Sequence, residues 1–364
     1  MRRPPRLAWL SFILLATLGS GAIACGSVAK PSGWTSPVVA NDLLLVAHKD
    51  KLYALDPETL AERWRFPGSE GKRIKTTALY GSLAASDSAI FVAAYNGNLY
   101  TVDAATGGET EQTFDAGGPL VGGVTIDNGT IYFGSSNGKL YALDAETGNE
   151  RWEPFKADNE IWSTPVVYGD TVYVTSLDGR LYAIDVETGA KQWSYKTAAG
   201  VASTPVVDIN EGLVYVGGFD SRLRAIDLET HEQRWQVEAG NWFWTRPLVA
   251  GGIVYAGSLD KKVYAVEAAS GEAHWARPFS TSAPVHAAPV MAGGKLIVVD
   301  REGHVFALDA ADGTMAPAGA LELGADVLAD PLVQPDGKVI IVTTGGDVVR
   351  IDPATLTIVD QRAL

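Results

Sequence analysis

The chain has 364 residues, a formal charge of −14, and 46% hydrophobic against 20% charged side chains. That balance supports a large core and argues against disorder, while an acidic surface repels phosphate backbones and excludes nucleic acid as the main partner. A single cysteine excludes an internal disulfide, a Cys-rich zinc site and an iron–sulfur cluster.

In chain order, residues 1–24 come first and have the layout of a secretory signal. Arg2, Arg3 and Arg6 precede the apolar run Leu7 to Leu18, and small residues lead to Ala24. The run is shorter than the roughly 20 residues that span a bilayer. Ala22-Ile23-Ala24-Cys25 resembles the lipobox of bacterial lipoproteins, with Ala22 where Leu is usual. The resemblance implies that Cys25 is diacylated and becomes the N-terminus, leaving residues 25–33 as a lipidated tether; two acyl chains anchor stably without a spanning helix. An uncleaved anchor or a plain secretory signal is the alternative. The expected location is extracytoplasmic. Gly26 rather than Asp would permit outer-membrane sorting in a diderm cell; otherwise the protein stays on the outer face of the plasma membrane.

From residue 34 to 364 the sequence is one repeat. Its acidic anchor recurs at Asp56, Asp103, Asp144, Asp185, Asp227, Glu267, Asp309 and Asp352, with gaps of 47, 41, 41, 42, 40, 42 and 43 residues. A second marker, Pro before two apolar residues, runs in phase at Pro37, Pro165, Pro205, Pro247, Pro289 and Pro331. The fourth unit reads as strands 165–168, 171–175, 180–185 and 191–195, joined by Gly-Asp, Leu-Asp-Gly and Glu-Thr-Gly turns. Its middle strands are apolar on both faces, so such a sheet must be sandwiched between copies of itself. The reading is all-β: an eight-bladed propeller of four-stranded antiparallel blades.

The anchor carboxylate is expected to cap backbone N–H groups two or three residues on, and the Gly that follows to take a positive φ. Trp64, Trp152, Trp193, Trp235 and Trp275 then pack between blades as structural anchors. Units two, seven and eight offer Glu111, Pro317 and Asp360 at that place, and the first and last loops carry Leu60 and Leu356 where Gly is usual. Leu resists the left-handed turn, so those two loops should differ from the rest, and ring closure is placed between blades eight and one.

The string Ala-x-Asp-x-x-Thr-Gly-x-x-x-Trp, intact at 142–152 and 183–193, resembles the tryptophan-docking motif of the quinoprotein, or PQQ-repeat, propellers over residues 34–364. That family has a dehydrogenase branch using pyrroloquinoline quinone and calcium, and a cofactor-free branch that includes the lipoprotein propeller of outer-membrane β-barrel assembly. One cysteine, units without long insertions and a lipobox align the chain with the second branch. The resemblance therefore implies a non-catalytic scaffold without cofactor that binds protein partners or extended polypeptide by strand addition, as a monomeric propeller. The alternatives are a PQQ- and calcium-dependent oxidoreductase, or a small-molecule or glycan sensor using the aromatic mouth of the channel.

The search for chemistry returns little. Gly134-Ser-Ser-Asn-Gly138 fits a serine-hydrolase pattern, but aligns with a strand-to-strand hairpin rather than the strand-to-helix elbow that chemistry needs. His48, His231, His274, His286 and His304 show no metal-ligand spacing, and Asp208-Ile-Asn-Glu-Gly212 reads as a lengthened hairpin rather than a calcium loop. The remaining candidates are Trp34, Trp162, Trp244 and His286, each three residues before a phase-marking Pro, with Arg246 as the strong positive group beside them. Ala202 and Leu328 hold the same place in two other units. Converging at the mouth of a central channel, these rings form either a platform for a planar ligand, glycan or peptide, or a plug packed between blades.

Overall fold

The computed structural model describes residues 33–68 and 78–364. Cys25, the signal segment and the tether up to residue 32 lie outside the described residues, as does the stretch 69–77.

Among the described residues there are 32 strands and no helix. They form eight four-stranded antiparallel sheets, each of four consecutive strands in sequential order. We number the blades 1 (38–66), 2 (84–115), 3 (124–156), 4 (166–196), 5 (206–238), 6 (248–280), 7 (290–322) and 8 (332–363). In blade 4 the strands are Val166–Tyr168, Thr171–Ser176, Arg180–Asp185 and Lys191–Lys196, within one residue of the sequence reading.

The middle strands are buried on both faces, as in Thr171–Ser176 and Arg180–Asp185. Each hydrophobic core therefore lies between blades rather than within one. Tyr132, Leu140 and Ala142 of blade 3 share a cluster with Val172, Val174 and Ile184 of blade 4, and Leu44, Val46 and Leu55 of blade 1 share one with Ile340, Val342 and Val348 of blade 8. This last cluster closes the ring. Every sheet is one continuous stretch of chain, so blades 8 and 1 meet by packing, with no described strand shared between them.

The outer hairpin works as the sequence implies where the anchor is aspartate, whereas Glu267 of blade 6 pairs with His274 instead. In blade 4 the Asp185 carboxylate accepts the N–H groups of Glu187 and Thr188 and the Thr188 hydroxyl, and the ladder shifts register between Ala183 and Ile184. The docking tryptophan reaches the next blade. Trp64, Trp152, Trp235 and Trp275 donate their indole N–H to the carbonyls of Ala104, Val186, Ala268 and Ala310 at 2.8–3.1 Å. Each acceptor follows the anchor residue of the neighbouring blade. The rings lie so close over the loop glycines that a Cβ at Gly107, Gly189, Gly271 or Gly313 would come within 2.5–2.8 Å of the indole. Trp193 is the variant: it stacks at 4.6 Å on His231, which replaces the glycine at φ 60°.

One expectation is corrected. The loops of Leu60 and Leu356 do not differ: both leucines adopt the left-handed conformation, at φ 56° and 53°. Leu60 N–H bonds the Asp56 carbonyl as Gly148 N–H bonds that of Asp144. The reason is burial. Left-handed backbone costs a leucine about 1–2 kcal/mol, whereas burying its side chain contributes about 1.5–3 kcal/mol. Leu60 is 1% and Leu356 6% exposed, inside the clusters between blades 8 and 1 and between blades 7 and 8. Blades 7 and 8 are two that lack a docking tryptophan, so each leucine fills the slot that an indole would occupy. The 8–1 joint is also fastened by hydrogen bonds: Gln334 Nε2, Arg350 Nη1 and Arg362 Nη1 donate to the carbonyls of Pro57, Glu58 and Leu60 at 2.8, 2.7 and 3.1 Å.

Candidate functional site

The innermost strand of each blade is the edge of its sheet, and these strands with the segments that lead into them enclose a central cavity of about 920 Å³. Such a volume lies within the usual range of ligand sites. Its wall is layered by sequence position.

The mouth is an eight-membered ring of residues: Trp34, Tyr80, Val121, Trp162, Ala202, Trp244, His286 and Leu328 all line the cavity. Sequence reasoning placed six of them. Tyr80 and Val121 were missed because Leu83 and Val124 stand where the marker proline is expected; both nevertheless precede their anchors, Asp103 and Asp144, by the same 23 residues that separate Trp162 from Asp185.

These rings are half-buried and held in place. Trp162 donates its indole N–H to Ser136 Oγ at 2.9 Å. Trp244 lies nearly parallel to Phe219, with centroids 5.4 Å apart, and Phe219 stacks on Trp242 at 4.5 Å. Trp34 meets Tyr80 edge-on at 4.6 Å, and Tyr80 meets Tyr95 at 5.5 Å. Burial lowers the His286 pKa to about 4, with Arg301 adding to the effect, so its imidazole is neutral at neutral pH. Burial, then Tyr95, pushes the Tyr80 hydroxyl up to about 12. No member of the mouth ring is charged at neutral pH.

Two residues further along the segment that leads into each inner strand runs a belt of hydrogen bonds. Gly123 N–H donates to Thr164 Oγ1 and Thr164 N–H to Thr204 Oγ1, at 3.0 and 3.2 Å. Ala288 N–H donates to Asp330 Oδ1 and Asp330 N–H to Ser36 Oγ, at 2.7 and 3.1 Å. Each bond links one blade to the next at the same repeat position, and the last crosses the joint between blades 8 and 1. Ala288 has no side-chain acceptor for blade 6. There Arg246 reaches past it, its Nε donating to Asp330 Oδ2 at 3.3 Å. Arg246, the strong positive group of the sequence reading, thus has an ion-pair partner in Asp330 while its side chain stays 51% exposed. Below the belt the wall turns aliphatic, with Val38, Val39, Val166, Val167, Leu332 and Val333, and reaches Gln334.

The other sequence candidates stay apart from this cavity. Ser135 is fully buried and donates to the Gly118 carbonyl in a hairpin between Thr130–Gly134 and Lys139–Asp144. Asp208 accepts the Asn210 N–H in a turn. His274 pairs with Glu267 and His304 with Asp300. Among the described residues no three His, Cys, Asp or Glu side chains converge to hold a metal, and the one arginine lining the cavity is committed to Asp330.

Comparison with known proteins places the architecture. The family described as outer membrane protein assembly factor BamB matches over residues 16–110, 96–241 and 220–364. No curated protein matches the chain. Among solved structures, BamB of Moraxella catarrhalis is 20% identical, with a TM-score of 0.65 over 78% of this chain and 88% of that one. The computationally designed Ika8 protein has a TM-score of 0.72 at 14% identity, over 87% of this chain and 96% of its own. The quinohemoprotein alcohol dehydrogenase of Comamonas testosteroni has 0.68 at 14% identity, over 88% and 71%. These three likenesses concern the fold, shared by an assembly factor, a design and a dehydrogenase. The profile match, in contrast, runs through all eight blades: the chain belongs to the BamB family of outer membrane protein assembly factors.

Proposed function

We propose that the chain is a non-catalytic, extracytoplasmic scaffold, moored by an acylated Cys25, that docks protein partners in the assembly of outer-membrane proteins. The observation that carries this reading is the family match across all eight blades. The chemistry of the channel supports it. Among the described residues the mouth ring is uncharged and the arginine beside it is paired with Asp330.

The outer surface suits partner binding. Tyr168 and Ile209 stand exposed on the inner hairpins of adjacent blades 4 and 5, and Ile358 and Val359 on the outermost strand of blade 8. Exposed apolar side chains on a hairpin tip or an edge strand are what a partner strand or loop covers.

Photo-crosslinking residues at 168, 209 and 358, followed by mass spectrometry of the adducts, test the reading. Adducts with outer-membrane assembly proteins are expected. Dye reduction by the purified protein loaded with pyrroloquinoline quinone and calcium would overturn it. For the mooring, Cys25→Ser should abolish acyl labelling and release the protein from membranes; unchanged fractionation would refute that part.

A further inference from the structure

The cavity carries features that neither ring closure nor partner docking uses. Three indoles, those of Trp34, Trp162 and Trp244, enter its mouth at blades 1, 4 and 6, dividing the ring nearly evenly. Trp162 has its rotamer fixed through Ser136, and Trp244 through its stack on Phe219. Both are preset platforms rather than core, since each retains solvent access.

At the other end, Gln334 is 5% exposed and lines the same cavity. Its Nε2 donates to the Pro57 carbonyl at 2.8 Å, which fixes the amide orientation. Its Oε1 is buried without a partner. A buried acceptor left unpaired is costly and needs explanation; a donor arriving along the channel supplies one.

Gln334 follows the mouth residue Leu328 by six residues, through the inner strand Leu332–Val333, a reach of at most roughly 20 Å at about 3.3 Å per residue. Hydroxyls of Ser82, Thr164, Thr204 and Thr245 lie between them. Among the described residues the wall carries no charge apart from the Arg246–Asp330 pair, so an ion drawn in against them would lose hydration without a free counter-charge. Such a wall favours a neutral, elongated, flat-faced ligand rich in hydroxyl donors.

We propose that the channel is a binding site for a neutral linear oligosaccharide. Pyranose rings lie on the indoles of Trp162 and Trp244, whose electron-rich faces attract polarised C–H groups, and a hydroxyl donates to Gln334 Oε1. An apolar peptide segment is the rival occupant, but it would leave the hydroxyl tier and Gln334 dehydrated. The site goes beyond the scaffold reading and does not depend on it.

Titration of the detergent-solubilised full chain with maltohexaose, cellohexaose and chitohexaose, followed by tryptophan fluorescence and calorimetry, tests the proposal. At least one sugar is expected to bind. Trp162→Ala and Trp244→Ala should each weaken it about tenfold or more, equivalent to about 1.4 kcal/mol, with unchanged melting. Trp162→Phe should retain most of the binding. Gln334→Leu should weaken binding to a similar degree, and its melting temperature reports separately on the joint it helps to fasten. The proposal falls if none of the three sugars binds at millimolar concentration, if binding survives both tryptophan-to-alanine changes, or if a phenylalanine-rich hexapeptide binds the wild type more tightly than any of them. Partner crosslinking at the outer surface is read independently, so either result can fail without the other.

Discussion

The exchange of leucine for an indole between blades predicts a double substitution. At the joint of blades 6 and 7, Trp275 is 2% exposed and bonds the Ala310 carbonyl, and a Cβ on Gly313 would sit 2.8 Å from its ring. Trp275→Ala alone should cost about 3–5 kcal/mol through the cavity and lost contacts. Gly313→Leu alone should cost about 2–5 kcal/mol: about 1–2 for left-handed backbone and about 1–3 for overpacking. Independent effects would then total about 5–10 kcal/mol. In the double variant the clash disappears and the leucine occupies the vacated slot, as Leu356 does at the next joint. Its burial returns about 1.5–3 kcal/mol. The double variant should therefore be no less stable than Trp275→Ala within about 1 kcal/mol, a shortfall from additivity of at least about 2 kcal/mol. Guanidinium unfolding of wild type, both singles and the double measures this cycle. Additivity within about 0.5 kcal/mol would refute the slot-filling argument.

Other predictions concern the belt and acidity. Asp330→Ala strips a partner from Ala288 N–H and from Arg246 and should destabilise by about 2–4 kcal/mol; a melting temperature equal to wild type would show that the belt bears no stress. Because His286 has its pKa lowered from 6.5 to about 4 in the fold, the unfolded chain binds the extra proton first, so stability should fall as pH drops from 6.5 towards 4. His286→Gln should flatten melting curves across that window, and an unaltered slope would count against it. Hydrogen bonds from Thr188 hold the Asp185 carboxyl below its usual range, so its contribution is present above the unfolded value near 4 and fades in more acidic solution. Asp185→Asn should accordingly lose stability at neutral pH and narrow the gap to wild type in acid, read by thermal melts in both buffers.

What the sequence made legible was whatever repeats. Anchors such as Asp144 and Asp185, the docking indoles and the hairpin turns each obey a local rule, so their spacing alone gave the blades and their number. The mouth ring was visible for the same reason wherever a proline marked the phase, and Tyr80 and Val121 escaped only where that mark was replaced. What stayed hidden depends on closure. Arg246 and Asp330 are 84 positions apart and meet across a blade whose alanine cannot accept a bond, which no periodicity reveals. The leucines at 60 and 356 were misread because backbone preference was weighed without the empty slot beside them. The orphaned oxygen of Gln334 likewise becomes visible only when its nitrogen is seen bonded to blade 1.

Because each blade is an unbroken span of polypeptide, the wheel has no privileged starting point. Any exposed linker between neighbouring sectors is a place where new termini could be cut and the old ones fused, with every sheet left whole. A gene for such a protein can be rotated one module of about forty codons at a time without rewriting the rest.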